Sequence, residues 1–177
     1  MGIYILRIIH ALIHLTYNHP LHRFIPFALS FVWFNPKTFG GEKWNEIAGI
    51  SEEKSKRVVK PWKGFITIIF NFLIAFGLFA LCVHQNGVFS LVGGNAELLK
   101  SGVGAEFLAV YGQNHLTFGH GALHGFLATL CFFVPMLVYV VFFEHKSAKY
   151  FWVYFSYWAV SLMLMGGILG QWGAVAV

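Results

Sequence analysis

The chain has 177 residues, of which 58% are apolar and only 11% are charged. A soluble domain has roughly a quarter of its residues charged, so this composition excludes a soluble globular protein. The formal net charge is +5, but the most basic stretch also carries four glutamates: Glu42, Glu46, Glu52 and Glu53. We interpret that stretch as a topology signal beside apolar helices and not as a nucleic-acid surface.

The first predicted crossing covers about residues 8–34 and has two unequal parts. Phe24–Phe34 is apolar but too short to span a bilayer alone, and the segment before it carries His10 and His14 at helical spacing. Prolines near the junction favour either one kinked helix or an interfacial amphipathic helix followed by a short spanning helix. We count the two parts as one crossing, which ends at Asn35, the residue before a proline.

The loop that follows is predicted to contain two short helices. Ser51 is followed by two glutamates, a pattern typical of a helix start, where a side chain caps the amides and acids meet the positive helix end. Gly49 is expected to close an earlier helix that contains Trp44. The segment between the first two crossings is therefore predicted to be short and amphipathic.

Three longer apolar runs predict the remaining crossings, at about residues 63–84, 117–143 and 149–170. A helix needs roughly 20 residues to cross a hydrocarbon layer of about 30 Å, and each run has that length. None of them alternates apolar with polar residues, which argues against spanning strands. The predicted fold is all-α: a polytopic membrane protein with a four-transmembrane-helix bundle, in a single membrane domain over residues 1–177.

Loop charge predicts how these helices are oriented. Lysine and arginine concentrate in loops 35–62 and 144–149, whereas the glycine-rich segment 85–114 contains only Lys100. Loops that face the cytoplasm carry the excess of basic residues. We therefore expect both basic loops on the cytoplasmic side and both termini outside.

Two groups of residues resemble a known family. The first runs from Trp33-Phe34-Asn35-Pro36 to Ser51-Glu52-Glu53, and the second runs from His120-Gly121-Ala122-Leu123-His124-Gly125 to Met165-Gly166-Gly167-Ile168-Leu169-Gly170. In order and spacing they are similar to DUF1761, a bacterial integral membrane protein family of unknown function. The resemblance covers roughly residues 27–172. It implies a four-helix protein of the bacterial cytoplasmic (inner) membrane, and it implies no activity.

Histidine is unusually frequent, with nine residues in the chain. His120 and His124 are one helical turn apart, His115 lies just before them, and His10 and His14 form a second pair at the same spacing. Imidazoles four residues apart can chelate a transition metal, and histidine is a common haem ligand. Three interpretations stay open: structural or interfacial histidines, a proton or substrate path, and a metal or haem site.

Other residues are predicted to mark the interior of the bundle. Asn71 lies in the middle of the second crossing and should need a hydrogen bond to another helix. Gly121 and Gly125 are four residues apart, as are Gly166 and Gly170. This spacing of small residues lets helix backbones approach closely in lipid, so we interpret all four glycines as packing residues.

The membrane segments contain neither a Ser-His-Asp arrangement nor paired carboxylates. We therefore predict no catalytic residue, and enzymatic activity is not the favoured interpretation. The favoured function is that of a small transporter or an accessory subunit of a membrane complex, with no cofactor. Its surroundings are the lipid bilayer, and both a homo-oligomer and a larger complex stay open. The alternative is a membrane protein that binds a transition metal or haem through His120 and His124.

Overall fold

In a computed structural model, which describes residues 20–35, 43–56 and 60–173, the chain is helical and contains no strand within those ranges. This confirms the predicted all-α class. The helices, numbered in chain order, are α1 (Ile25–Trp33), α2 (Lys43–Ala48), α3 (Glu52–Ser55), α4 (Pro61–Cys82), α5 (Gln85–Leu91), α6 (Gly102–Tyr111), α7 (Phe118–Phe143) and α8 (Ala148–Trp172).

Three of these helices, α4, α7 and α8, are long and apolar enough to cross a membrane, with 22, 26 and 25 residues. Among the described residues, no fourth helix is long enough to cross a membrane: the first predicted crossing, residues 8–34, is described only in part. Its described part consists of the 3-10 turn Pro20–Phe24 and α1, which together are shorter than the roughly 20 residues a spanning helix needs. Residues 8–19 of the predicted crossing lie outside the described residues.

Helices α7 and α8 touch through their backbones. A Cβ atom added to Gly121 would overlap the carbonyl oxygen of Gly166, and one added to Gly125 would overlap the carbonyl oxygen of Leu162. One added to Gly170 would lie 2.7 Å from the Cα atom of Gly121. Only residues without a side chain permit this approach, which in lipid brings the two helices into extensive van der Waals contact.

The middle of α7 is a π-helical segment, Thr129–Phe133. It lies just before Pro135, which has no N–H and whose ring would clash with the carbonyl four residues earlier. A wider turn relieves that conflict. The buried Thr129 hydroxyl donates to the carbonyl of Gly125 at 3.0 Å. A threonine hydroxyl bonded to the carbonyl four residues earlier often bends a helix, so Pro135 and Thr129 are the two local causes of the irregular turn.

Helix α1 packs against the first half of α8. The Tyr157 hydroxyl donates to the carbonyl of Pro26 at 2.7 Å, and the indole N–H of Trp33 donates to Ser156 Oγ at 3.1 Å. Tyr157 is buried, so its hydroxyl needs such a partner. The described part of the first predicted crossing is thereby held beside a helix that is long and apolar enough to cross a membrane.

The segment before α4 folds against the start of α8. Trp44 of α2 is buried and stacks on Tyr150 with 6.1 Å between ring centroids. Gly49 follows α2 with a φ of +70°, and Ser51 caps α3 by accepting from the amide of Lys54. The predicted helix end and helix start are therefore confirmed.

The described parts of the two basic loops lie at the same end of the bundle. The ammonium group of Lys146, in the loop before α8, lies 4.0 Å from the position of a Cβ atom on Gly49. The segment between α4 and α7 lies at the other end, because each of these helices crosses the bundle once.

The glycine-rich segment 85–114, which connects the second and third predicted crossings, is helical over most of its length. It contains α5, α6 and a 3-10 turn at Ala96–Leu99. Its glycines contribute to the junctions: Gly93, Gly94 and Gly102 have φ values of +64°, +72° and +58°. Glycine adopts this left-handed region at no steric cost, so the glycine content reflects sharp junctions between short helices.

We expect Gly121→Ala to lower the unfolding temperature, because the added methyl group would overlap the Gly166 carbonyl and push α7 away from α8. Overpacking of this kind costs about 1–3 kcal/mol. The matched control is Gly119→Ala on the same helix, where no atom lies within 4 Å of an added Cβ. Thermal unfolding in detergent, followed by circular dichroism, compares the two variants. Equal unfolding temperatures would contradict the backbone contact.

Candidate metal centre

Four histidines lie at the end of the bundle where α4 ends and α7 begins. His84 is the second residue after α4, His115 lies in the loop before α7, and His120 and His124 occupy the first two turns of α7. The α4 end is seated on α7, because the Cys82 thiol donates to the carbonyl of Gly121 at 3.5 Å. This contact brings His84 to the face of α7 that carries the histidine pair.

Three of these side chains converge through their ring nitrogens. The Nε2 atom of His120 lies 2.8 Å from Nε2 of His84 and 3.0 Å from Nε2 of His124. One nitrogen from each of the three rings lies within 4.8 Å of the other two. Imidazoles at 2.0–2.1 Å from a tetrahedral Zn²⁺ ion place their nitrogens about 3.3 Å apart. The three rings are therefore near the spacing that a metal ion requires.

The same contacts make a poor hydrogen-bond network. Each nitrogen of a neutral imidazole is either a donor with one hydrogen or an acceptor with one lone pair. Nε2 of His120 has two partners, so it cannot form a full hydrogen bond to both His84 and His124. A cation between the three rings would accept one lone pair from each of them.

His115 lies beside this trio without contributing a nitrogen to it. Its ring stacks on His120 with 4.6 Å between centroids, and it lies 5.7 Å from the ring of His84. Its φ is +66°, a region that residues other than glycine seldom adopt. Strained backbone of this kind concentrates at functional sites. The predicted candidate His115 is thus part of the cluster but outside the converging group.

Two side chains fix the first turn of α7. Thr117 Oγ1 accepts from the amide of His120 at 3.3 Å, and Gln171 Oε1 accepts from the amide of Phe118 at 2.9 Å. Both acceptors satisfy amides that have no partner within the helix. Because Gln171 belongs to the end of α8, it also joins α7 to α8 directly beside His120.

Sequence reasoning missed His84 and placed other histidines in the site. His10 and His14 lie outside the described residues. A signal for His84 exists, because it directly follows the second predicted crossing, and the end of one crossing lies on the same side of a membrane as the start of the next. A histidine at the end of one antiparallel helix is thus a candidate partner for histidines at the start of its neighbour.

Asn71, predicted to mark the bundle interior, is 3% exposed in the middle of α4. Its Nδ2 has no hydrogen-bond partner among the described residues. The expected bond from this nitrogen to another helix is therefore not found there. It lies 13 positions before His84, roughly 20 Å along a helix axis, so Asn71 is not part of the histidine cluster.

A comparison with known families matches most of the chain. The sequence model of a family described as "Protein of unknown function (DUF1761)" matches residues 23–170. The chain belongs to this family. No curated protein and no solved structure matches the chain. His84, His120 and His124 of this DUF1761 protein all lie within the matched region, and the family description assigns no role to them.

We expect Thr117→Ala to loosen the first turn of α7, because the amide of His120 loses its acceptor. Loss of such a cap costs about 0.5–2 kcal/mol. Hydrogen exchange at the amides of Phe118 and His120 should become faster. Thr117→Ser keeps the hydroxyl and should exchange as the unmodified protein does.

Ser147→Ala is the control for this experiment, because Ser147 caps the start of α8 by accepting from the amide of Tyr150 at 3.2 Å. That cap lies at the opposite end of the bundle, so its loss should leave exchange at Phe118 and His120 unchanged. Faster exchange at those amides in Ser147→Ala would contradict a local role for Thr117.

Proposed function

We propose that this DUF1761 protein binds a divalent transition metal ion through His84, His120 and His124. The observation that supports the proposal is the convergence of three imidazole nitrogens within 4.8 Å of one another, from two elements that are distant in sequence. His120 cannot form full hydrogen bonds to both neighbours at once. A metal ion satisfies all three nitrogens, which a proton cannot do.

The donor set indicates which ions fit. Three imidazoles, with neither a thiolate nor a carboxylate in the group, suit Zn²⁺, Cu²⁺ or Ni²⁺ and do not suit Mg²⁺ or Ca²⁺, which prefer oxygen. Three protein ligands leave a fourth position open to water or another molecule, as in sites where the metal acts on a bound molecule. His84 is exposed, so this position can be reached from water.

Haem is the less favourable alternative for the same histidines. The ring centroids of His84, His120 and His124 are 4.6–5.0 Å apart. A porphyrin placed on the inward nitrogen of any one ring would overlap the other two rings. The proposal therefore concerns a bare ion.

Zinc binding by the purified protein tests this proposal. Titration calorimetry in detergent should give one site per chain, and removal of one ligand in His84→Asn, His120→Asn or His124→Asn should lower the affinity. The loss should exceed the roughly 10- to 100-fold that follows removal of an outer-shell partner. The matched control is His145→Asn, because His145 is exposed at the opposite end and asparagine tolerates its φ of +52°.

Two results would overturn the proposal. One is a folded His120→Asn protein that binds zinc as tightly as the unmodified chain. The other is a folded, purified protein that contains no divalent metal ion and binds none on titration; a haem absorption band in its visible spectrum would then favour the haem alternative.

A small transporter or an accessory subunit of a membrane complex is the second candidate function. It is favoured by Asn71, since a buried amide in the middle of a spanning helix marks polar interiors and substrate paths. One amide is a weaker basis than three convergent imidazoles. The backbone contact at Gly121 and Gly166 also closes any passage between α7 and α8.

The proposal extends to membrane topology: four crossings in a bacterial inner membrane, with loops 35–62 and 144–149 in the cytoplasm and both termini outside. It is supported by the side-by-side packing of α1 on α8 and by the basic loops at one end. Alkaline phosphatase fused after residue 177 should be active in a bacterial host. The same enzyme fused after residue 146 should be inactive. The reverse pattern would contradict this topology.

A further inference from the structure

A cleft of about 320 Å³ lies beside the proposed metal centre, between α5, α6 and the loop that leads to α7. Its walls are mainly apolar: Val88 comes from α5, and Phe107, Leu108 and Tyr111 come from α6. His84 lines one edge of it. Ligand pockets begin at roughly 300 Å³ and combine apolar walls with a few polar groups, so the cleft has the size and lining for a small molecule.

Gln85 supplies a polar group on the wall of this cleft with unmet bonding capacity. Its Nε2 donates to the carbonyls of Gly112 at 2.6 Å and Asn114 at 3.4 Å. Both partners are acceptors only, so the orientation of the amide is fixed. Its Oε1 is buried and has no donor among the described residues. A buried acceptor of this kind is costly to leave unpaired, and an N–H or O–H group of a ligand would satisfy it.

The location of the cleft indicates the polarity of its occupant. Helix α4 is a membrane span that ends at Cys82, and the cleft begins two residues later at His84. It therefore lies near the border of the hydrocarbon layer, with the exposed imidazole of His84 at one edge and apolar walls beyond it. A molecule with a polar head and a short apolar chain matches this arrangement.

We propose that the cleft binds a small amphipathic molecule, whose chain packs on Val88, Phe107 and Leu108. An oxygen of its head group takes the open position of the metal held by His84, His120 and His124, and an N–H or O–H of the same head donates to Gln85. The inference rests on the proposed metal site, and it adds the ligand class that the site accepts.

Hydroxamates of different chain length test this inference, because their head group has a metal-ligating oxygen and an N–H. The protein is reconstituted in lipid nanodiscs and loaded with Co²⁺, whose visible absorption reports its coordination. Acetohydroxamate and butanohydroxamate share the head group and differ by two methylenes. Burial of these two methylenes in the cleft should make butanohydroxamate bind about tenfold more tightly.

Two variants on α6 test where the apolar chain of the ligand binds. Leu108→Trp fills the cleft and should abolish the advantage of butanohydroxamate, while the Co²⁺ spectrum and acetohydroxamate binding stay unchanged. Val103→Trp is the matched control, since Val103 is 82% exposed and absent from the cleft wall; it should keep the advantage. Val88→Trp fills the cleft from α5 and replaces Leu108→Trp if that protein does not fold.

The outcomes separate the two proposals. Failure of the unmodified protein to bind Co²⁺ overturns the metal site, and the inference with it. Normal Co²⁺ binding with equal affinity for both hydroxamates overturns the cleft inference and leaves the metal site standing. An advantage of butanohydroxamate that survives in both cleft-filling variants also overturns the inference, because the chain then lies elsewhere.

Discussion

The backbone contact between α7 and α8 is the constraint on which the candidate site depends. Gly121 and Gly125 face α8, and the two backbones are so close there that no larger side chain would fit between them. His120 and His124 each precede one of these glycines, and one residue corresponds to about 100° around a helix. The spacing that seats the glycines on α8 therefore also turns both imidazoles to the adjacent face, which meets the end of α4.

Helix α4 completes the site through two neighbouring residues that stay in the packed interior. The Cys82 thiol contacts the carbonyl of Gly121, and Val83 is fully buried. The next residue, His84, is the first exposed residue after the buried end of α4, and its imidazole lies beside those of His120 and His124. From the end of α8, Gln171 Oε1 accepts from the amide of Phe118 beside the same residues. The candidate site thus requires no long loop to bring its ligands together.

Local sequence patterns predicted those features that need only one or two helices. Run length predicted three helices long enough to cross a membrane, and four-residue spacing predicted the pair His120 and His124. Single residues predicted the end of one short helix at Gly49 and the start of another at Ser51. His84 was missed because periodicity assigns a residue to a face but not to a neighbouring helix. The short helices of segment 85–114 were not predicted, because glycine content alone does not show that Gly93 and Gly102 mark junctions between helices.

The two ends of the bundle differ in how well their side chains are satisfied. At the basic end, Trp44 and Tyr150 stack, and Tyr157 finds a carbonyl for its hydroxyl. At the histidine end, Nε2 of His120 cannot form full hydrogen bonds to both its neighbours, and the buried Oε1 of Gln85 has no donor in the part of the chain that the structure describes. A sequence otherwise consistent with its fold tends to depart from local satisfaction at functional sites. Both groups have a lone pair to share, so a metal ion at the imidazoles and a hydrogen-bond donor at the Gln85 oxygen would each satisfy one of them.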